Sequence, residues 1–202
     1  MKSTSHLSAP ERILTLIDSF TVCSSLAISI GGATEADVHL FCFLASLVST
    51  SQGSSPTSWG YTFSAAETGR PFSEPLAATL DEMLTNGQLV STADGYIPSF
   101  AGEATLAIVG AGQAYTKRIE LLKTVCNLSA VRGVPGIGRA VAGESQLARA
   151  AELRSTRIID GDELSRTLIQ MSINALDQAG GTYQGALPAF AWLDQWESAN
   201  AD

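Results

Sequence analysis

Few residues in this sequence have the types and spacing that enzymatic chemistry requires. The 202-residue chain contains two histidines and no GxSxG segment in which a serine nucleophile could be exposed. A catalytic triad needs a base and a group that orients the base, so two histidines supply little material for one. A site of paired carboxylates stays open, because any of the acidic residues could converge in the fold. The sequence therefore favours a protein that is not an enzyme and that holds no cofactor.

Two glycine-rich segments resemble phosphate-binding loops. Gly110 and Gly112 match the start of a dinucleotide-binding GxGxxG loop, but Tyr115 occupies the third position, where close helix–strand packing needs a small residue. An acidic residue that would hold a ribose is missing about 20 positions later. The segment 133–138 is not followed by Lys-Ser or Lys-Thr, so it is not a P-loop. We predict a helix interrupted by glycine at the first segment and a linker at the second.

Metal ligation is the remaining chemistry that the residue types suggest. His39 and Cys42 lie three positions apart, as ligands on one helix face can, but a structural zinc ion needs four ligands. The other histidine, His6, lies near the start of the chain. The acidic run 160–163 lacks the twelve-residue calcium pattern and precedes a helical segment, whose N-terminus it is suited to cap. We therefore expect no metal, with His39 and Cys42 in or beside the core.

The segments before residue 64 predict two apolar helices. Pro10 is suited to a first helical turn, and Gly31-Gly32 ends the helix that follows it. Residues 34–37 resemble a capping box ahead of a second helix, residues 49–58 read as a loop, and residues 59–63 read as a short strand. The apolar run 13–30 raises the question of a membrane segment. Asp18 and several hydroxyl side chains interrupt it, which favours a buried helix.

Residues 69–102 carry the clearest structural pattern. Ser73 and Pro75 mark a helix start, an apolar stripe follows, and Asn86-Gly87 supplies a left-handed ending. A strand at 89–90, a turn at Asp94-Gly95 and a strand at 96–97 then form a β-hairpin. A helix followed by a tight hairpin is the core of a winged helix. The helix that follows residue 34 should pack beneath it.

The rest of the chain predicts a helical region, so the expected fold class is mainly α with a small β-hairpin wing. We divide the chain into a winged-helix domain, residues 11–110, and a helical C-terminal region, residues 111–202. Helices are predicted at 103–109, 113–130, 144–157, 162–178 and 188–199, with breaks at 131–138 and 179–187.

Charge is distributed unevenly along the chain, whose net charge is -8. The helix at 73–86, which would enter the DNA major groove in a DNA-binding winged helix, carries acidic residues and no lysine or arginine. Nine of the twelve basic residues lie in 117–166. Lys117, Arg118 and Lys123 are therefore the candidates for contact with phosphate or with an acidic partner.

The aromatic residues near the C-terminus suggest a second contact surface. Trp192 and Trp196 lie four residues apart with Phe190 beside them. Core packing is the default interpretation, and docking into a partner groove is the alternative. The three cysteines include no CxxC pair, which is typical of reduced thiols in a cytoplasmic protein.

The N-terminal half resembles the middle, accessory components of bacterial three-component ABC or SMC-like anti-phage defence systems of the Lamassu type. The resemblance covers about residues 11–98 and includes an arginine between the glycine and proline that precede the third helix. The segments that carry it are RILTLIDSF at 12–20, DVHLF at 37–41, GRPFS at 69–73 and NGQLV at 86–90.

The resemblance implies a small non-catalytic subunit that bridges an SMC-like or ABC ATPase and an effector such as a nuclease. DNA would then be contacted only indirectly, through the complex, and no membrane would be involved. The alternative is a DNA-binding winged-helix transcriptional regulator or antitoxin-like protein that uses the basic segment for phosphate contacts.

Overall fold

The computed structural model describes residues 8–51, 59–179 and 187–199, and within them the chain is mostly helical. Two small antiparallel sheets accompany the helices, one of strands β2, β1 and β5 and one of β3 and β4. The elements in chain order are α1 (Ala9–Ile30), α2 (Glu35–Ser51), β1 (Ser64–Ala65), β2 (Pro71–Phe72), α3 (Glu74–Thr85), β3 (Leu89–Thr92), β4 (Gly95–Pro98), α4 (Phe100–Gly110), α5 (Gln113–Cys126), α6 (Ser129–Arg132), α7 (Val134–Val141), α8 (Ser145–Glu152), β5 (Arg157–Ile158), α9 (Gly161–Ala179) and α10 (Leu187–Ala199).

Local signals set the ends of the first two helices. The Ser8 hydroxyl caps α1 by accepting the Glu11 N–H, and Gly31 ends it with a φ of 91°. The predicted capping box is confirmed before α2: the Asp37 carboxylate accepts the Thr34 N–H at 2.8 Å, and the Thr34 hydroxyl accepts the Asp37 N–H at 3.2 Å. Helix α1 therefore starts and stops where the sequence predicts, whereas α2 extends to Ser51, three residues into the predicted loop.

The β3–β4 hairpin is joined to the connection between α1 and α2. Its register places Leu89 opposite Pro98 and Thr92 opposite Gly95. Ala33 pairs with Tyr96 through two backbone bonds, Ala33 N–H to Tyr96 O at 3.1 Å and Tyr96 N–H to Ala33 O at 2.7 Å. The hairpin is thus fixed to the helical body and does not stand apart from it.

The three-stranded sheet was not predicted. Ala65 of β1 lies opposite Pro71 of β2 on one side and Arg157 of β5 on the other. The strand predicted at 59–63 is wrong, because pairing begins only at Ser64. The linker predicted at 131–138 is also wrong: Gly133, with a φ of 68°, separates two short helices, α6 and α7.

Both predicted regions contribute to one hydrophobic core. Helix α1 packs against α3, α5 and α2, and α10 packs against α7, α9 and α2. Buried side chains from Phe20 to Trp196 form a single cluster. The N-terminal and C-terminal regions therefore surround a shared interior.

Helix α1 is long and apolar enough to cross a membrane by length and composition, with a mean hydropathy of 1.8 over its best window. Half of that window is buried inside the protein. Asp18, in the middle of the helix, is 0% exposed and ion-paired with Arg118 of α5. These features are those of a core helix and are consistent with a soluble protein.

Candidate interaction surface

The outward face of α3 carries carboxylates and no cation. Glu74, Ala78, Asp81 and Thr85 are exposed at helical spacing, while the opposite face enters the core. The sequence contains no lysine or arginine anywhere in 71–116. The residues of the α3 face and of the hairpin after it therefore contribute no lysine or arginine side chain to this surface.

The turn of the hairpin continues that surface. Ser91 to Asp94 are exposed, and Val90 of β3 is 47% exposed. At the start of α1, Arg12 reaches the edge of α3 and pairs with Glu82, where both side chains remain partly exposed. An exposed ion pair of this kind contributes little to stability. It neutralises one of the acidic residues of α3 and leaves the outward face acidic.

Helix α4 is anchored firmly at its first turn. The Ser99 hydroxyl accepts the Gly102 N–H at 3.1 Å and donates to the backbone oxygen of Gly87 at 2.7 Å. Gly102 faces inward, where a Cβ atom would collide with the backbone oxygen of Gln88 and the ring of Phe20. Glycine at 102 therefore allows α4 to lie directly on α1, and this contact sets which side of α4 faces solvent.

The solvent side of α4 is apolar apart from Glu103, which is exposed at its edge. Phe100 is 89% exposed and Ile108 is 78% exposed, and between them lie the exposed residues Ala104 and Ala107. With exposed Ala111 after the helix end, these residues share one side of the helix, because they repeat at intervals of three and four. We call this set the α4 face. Exposed apolar surface of this kind is typical of sites that contact another protein.

A groove of about 450 Å³ runs beside the α4 face, between α1, α4 and α5. Thr21 and Ser24 line its α1 wall, and Lys123 and Glu120 line its α5 wall. Ile28, one helical turn beyond Ser24, is 87% exposed.

Arg118 is not a phosphate contact, which corrects the prediction made for it. Its side chain is 12% exposed, and its Nε and Nη2 atoms each donate to Asp18 at 2.6 Å. Its Nη1 atom donates to the backbone oxygen of Trp59 at 2.8 Å, and the guanidinium lies 3.7 Å from the centre of the Trp59 ring. The Tyr61 hydroxyl donates to the same Asp18 carboxylate at 2.5 Å. Arg118 therefore ties α5 to α1 and to the backbone at Trp59.

Burial dominates the protonation of this cluster. Desolvation raises the pKa of Asp18, and the adjacent Arg118 guanidinium opposes that rise. Burial also raises the pKa of Tyr61 and Cys42 well above their ordinary values, so both stay neutral. These contacts hold α1, α5 and the residues Trp59 and Tyr61 together.

The other basic residues of 117–166 divide between exposed and paired positions. Lys117 and Lys123 are exposed on α5, as a phosphate contact requires. Arg132 binds Asp194 and Glu197 of α10, the latter at 3.0 Å. Part of the basic segment therefore neutralises acidic groups of the same chain.

Of the three C-terminal aromatic residues considered for docking, Trp192 and Trp196 are not available to a partner, which corrects that alternative. Trp192 is 0% exposed and Trp196 is 4% exposed, and both belong to the core. Phe190 is half-buried and packs against that core. The tryptophans lie inward because α10 packs on α7 and α9, so neither ring is accessible to a partner.

His39 is a buried core residue, as predicted, with one defined hydrogen bond. Its Nδ1 atom accepts the Ser73 N–H at 3.2 Å, and its ring lies 4.9 Å from that of Phe72. Its Nε2 atom lies 3.6 Å from a Glu35 carboxylate oxygen. Burial lowers the pKa of His39, and Glu35 opposes that effect. A neutral ring suits this site, because protonated Nδ1 could not accept the Ser73 proton.

The remaining motifs have structural roles. Gly110 ends α4 and Gly112 precedes α5, so the glycine pair joins two helices, and the strand that a dinucleotide-binding loop needs ahead of it is replaced by α4. The Asp160 carboxylate accepts the N–H groups of Asp162 and Glu163 at 2.9 and 3.2 Å, which confirms the predicted cap. Among residues 8–51, 59–179 and 187–199, no group of three or more His, Cys, Asp or Glu side chains could hold a metal ion.

The α4 face is a surface feature that the sequence motifs do not predict. The predicted helix at 103–109 omitted Phe100, and its apolar composition gave no indication of which side would be buried. A signal was present in the sequence, because FAGEATLAIVG contains one charged residue in a helix that directly follows a hairpin. Comparison with protein-family models, with curated proteins and with solved structures found no match to this chain.

Proposed function

We propose that this chain is a non-catalytic, cytoplasmic, winged-helix subunit of a larger protein complex. The order α1, Ala33, α2, α3, β3, β4, with Ala33 paired to β4, supports a winged helix. In DNA-binding proteins of the helix-turn-helix type, the helix equivalent to α3 enters the major groove. The chemistry of α3 therefore bears directly on what the surface binds.

The surface of α3 and the hairpin supports this function, because residues 71–116 contain no lysine or arginine. Asp81 and Glu74 are exposed where a DNA-binding helix would need Arg, Lys, Asn or Gln. Phosphate groups would be repelled by this surface. A basic protein surface is the complementary partner.

The resemblance of the N-terminal half to Lamassu-type middle components suggests which partners these are. They would be an SMC-like or ABC ATPase and an effector such as a nuclease, with DNA contacted by the complex and not by this subunit. The acidic α3 face would bind the ATPase. The assembly would be soluble and would involve no membrane.

The test is affinity purification of the tagged protein from its native operon, followed by mass spectrometry. We expect an ATPase subunit to be recovered in stoichiometric amount. Asp81→Lys should reduce that recovery, whereas Glu152→Lys, at an exposed position at the end of α8, should not. Recovery of the tagged chain alone would contradict the proposal.

The second candidate function, a DNA-binding regulator or antitoxin-like protein, rests on the exposure of Lys117 and Lys123 on α5. It predicts DNA binding that weakens steeply with salt. Charge reversal at both lysines should abolish that binding. Arg118 must be left unchanged in this test, because its loss would disrupt the core and not only a phosphate contact.

A further inference from the structure

The α4 face has a pattern that suits contact with a copy of itself. Ala104 lies at its centre, with Phe100 four residues before and Ile108 four residues after. The spacing is symmetric about Ala104, so an antiparallel copy of the helix presents apolar residues at matching positions. We propose that two copies of this chain associate through α4, with a two-fold axis at Ala104.

In that arrangement each large side chain meets an apolar partner. Phe100 of one copy packs on Ile108 of the other, and the two Ala104 residues face each other across the axis. An alanine at the crossing point lets the two helices approach closely, and residues related by a two-fold axis make the same contact twice. Glu103 lies about 100° around the helix from Ala104, so the two carboxylates fall at one edge of the contact and outside the apolar strip.

The exposed side chains of the α4 face supply the apolar area that such a dimer contact needs. Phe100 and Ile108 are 89% and 78% exposed, and the alanines between them are exposed as well. Two such faces would bury on the order of 1,000 Å² in total, which is the lower bound for a specific interface. A single anchored helix with this area fits a weak, reversible dimer and not an obligate one.

The anchoring of α4 makes the face rigid before association. Ser99 and Gly102 fix the first turn on the body of the protein, directly beside Phe100. Less conformational entropy is then lost on binding than for a mobile helix. The dimer goes beyond the proposed function and depends on none of the proposed partners.

Sedimentation velocity of the purified full chain tests the proposal directly. Between about 1 and about 500 µM we expect a concentration-dependent shift from monomer to dimer. Phe100→Ser should weaken dimerisation about a hundredfold or more, because each substitution is present twice in the interface. Ile158→Ser is the matched control, because Ile158 is 80% exposed on β5, away from α4, and its loss should leave the dimer intact.

An engineered disulfide tests where the two-fold axis of the dimer lies. Ala104→Cys should form an intermolecular disulfide under mild oxidation, whereas Ala78→Cys, exposed on α3, should not. The native cysteines Cys23, Cys42 and Cys126 are buried and do not compete. A monomer throughout the concentration range, equal effects of Phe100→Ser and Ile158→Ser, or an Ala104→Cys variant that cross-links no more than Ala78→Cys would each overturn the proposal.

Discussion

Replacement of Arg118 by methionine removes the guanidinium group and keeps a long apolar side chain. The Asp18 carboxylate, 0% exposed, then retains the Tyr61 hydroxyl as donor but loses both of its nitrogen donors. Removal of one partner from a buried ion pair lowers the free energy of unfolding by about 3–5 kcal/mol. At about 2–4 °C per kcal/mol for a chain of this size, the Tm should fall by roughly 10 °C.

The loss should also depend on pH in a defined direction. Burial already raises the pKa of Asp18, and removal of Arg118 takes away the main effect that opposes this rise. In the variant the folded-state pKa of Asp18 lies further above its unfolded value of 3.8. Stability is therefore lost as the pH rises through that folded-state pKa. Arg118→Met should be closer to wild type at about pH 5 than at about pH 8.

Urea unfolding followed by far-UV circular dichroism measures both effects. Lys117→Met, at the exposed neighbouring position, is the control and should change the free energy of unfolding by less than about 0.5 kcal/mol. The double variant Asp18→Asn with Arg118→Met should be less destabilised than the two single variants would add up to, because the partners interact directly. A loss below about 1 kcal/mol for Arg118→Met at neutral pH would refute the assignment of a buried, saturated ion pair.

Three further substitutions test other parts of the fold. Gly102→Val should lower the free energy of unfolding by about 3 kcal/mol or more, because its Cβ would collide with the backbone oxygen of Gln88 and its side chain would enter the Phe20 ring. Glu144→Ala should lower it by about 1–2 kcal/mol, since this buried carboxylate accepts two backbone N–H groups at the start of α8. His39 has a folded-state pKa below 6.5, so stability should fall as the pH drops below about 6.5. His39→Asn, whose side-chain oxygen can still accept the Ser73 N–H, should flatten that dependence.

Each of these three substitutions has a control variant or a control condition in the same urea measurement. Ala78→Val, at an exposed position of α3 and outside the α4 face, should lower the free energy of unfolding by no more than about 0.5 kcal/mol, the helix-propensity difference, where Gly102→Val lowers it much further. Glu152→Ala, exposed at the far end of α8, should likewise be neutral. For His39, urea midpoints at about pH 7.5 and about pH 5.5 are compared between wild type and variant. Parallel pH profiles for the two proteins would show that His39 does not carry the effect.

The predictions that succeeded rest on short-range signals. Pro10, the 34–37 capping box and the turn glycines each act within a few residues, so α1, α2, α3 and the hairpin could be placed from sequence with small errors at their ends. Asp160 is a similar case, because a carboxylate before a helix caps it whatever lies elsewhere in the chain.

The predictions that failed depend on distant partners. Arg118 and Asp18 are 100 residues apart, so nothing near Arg118 indicates that it would be buried and not exposed. Strands β1 and β5 are two residues long and pair across more than 90 residues, which leaves no periodic pattern to detect. For Trp192 and Trp196, a helix with aromatic residues four apart has the same pattern whether that side meets the core or a partner.

The placement of charge has a consequence for association rates. Residues 71–116 contain no cation, and Arg118 and Arg132 are bound to acidic groups of the same chain. The side formed by α3 and the hairpin therefore projects a negative potential into solvent. Such a potential accelerates diffusional encounter with a cationic protein and slows the approach of a polyanion. Added salt should slow binding of a basic partner while changing its dissociation rate much less.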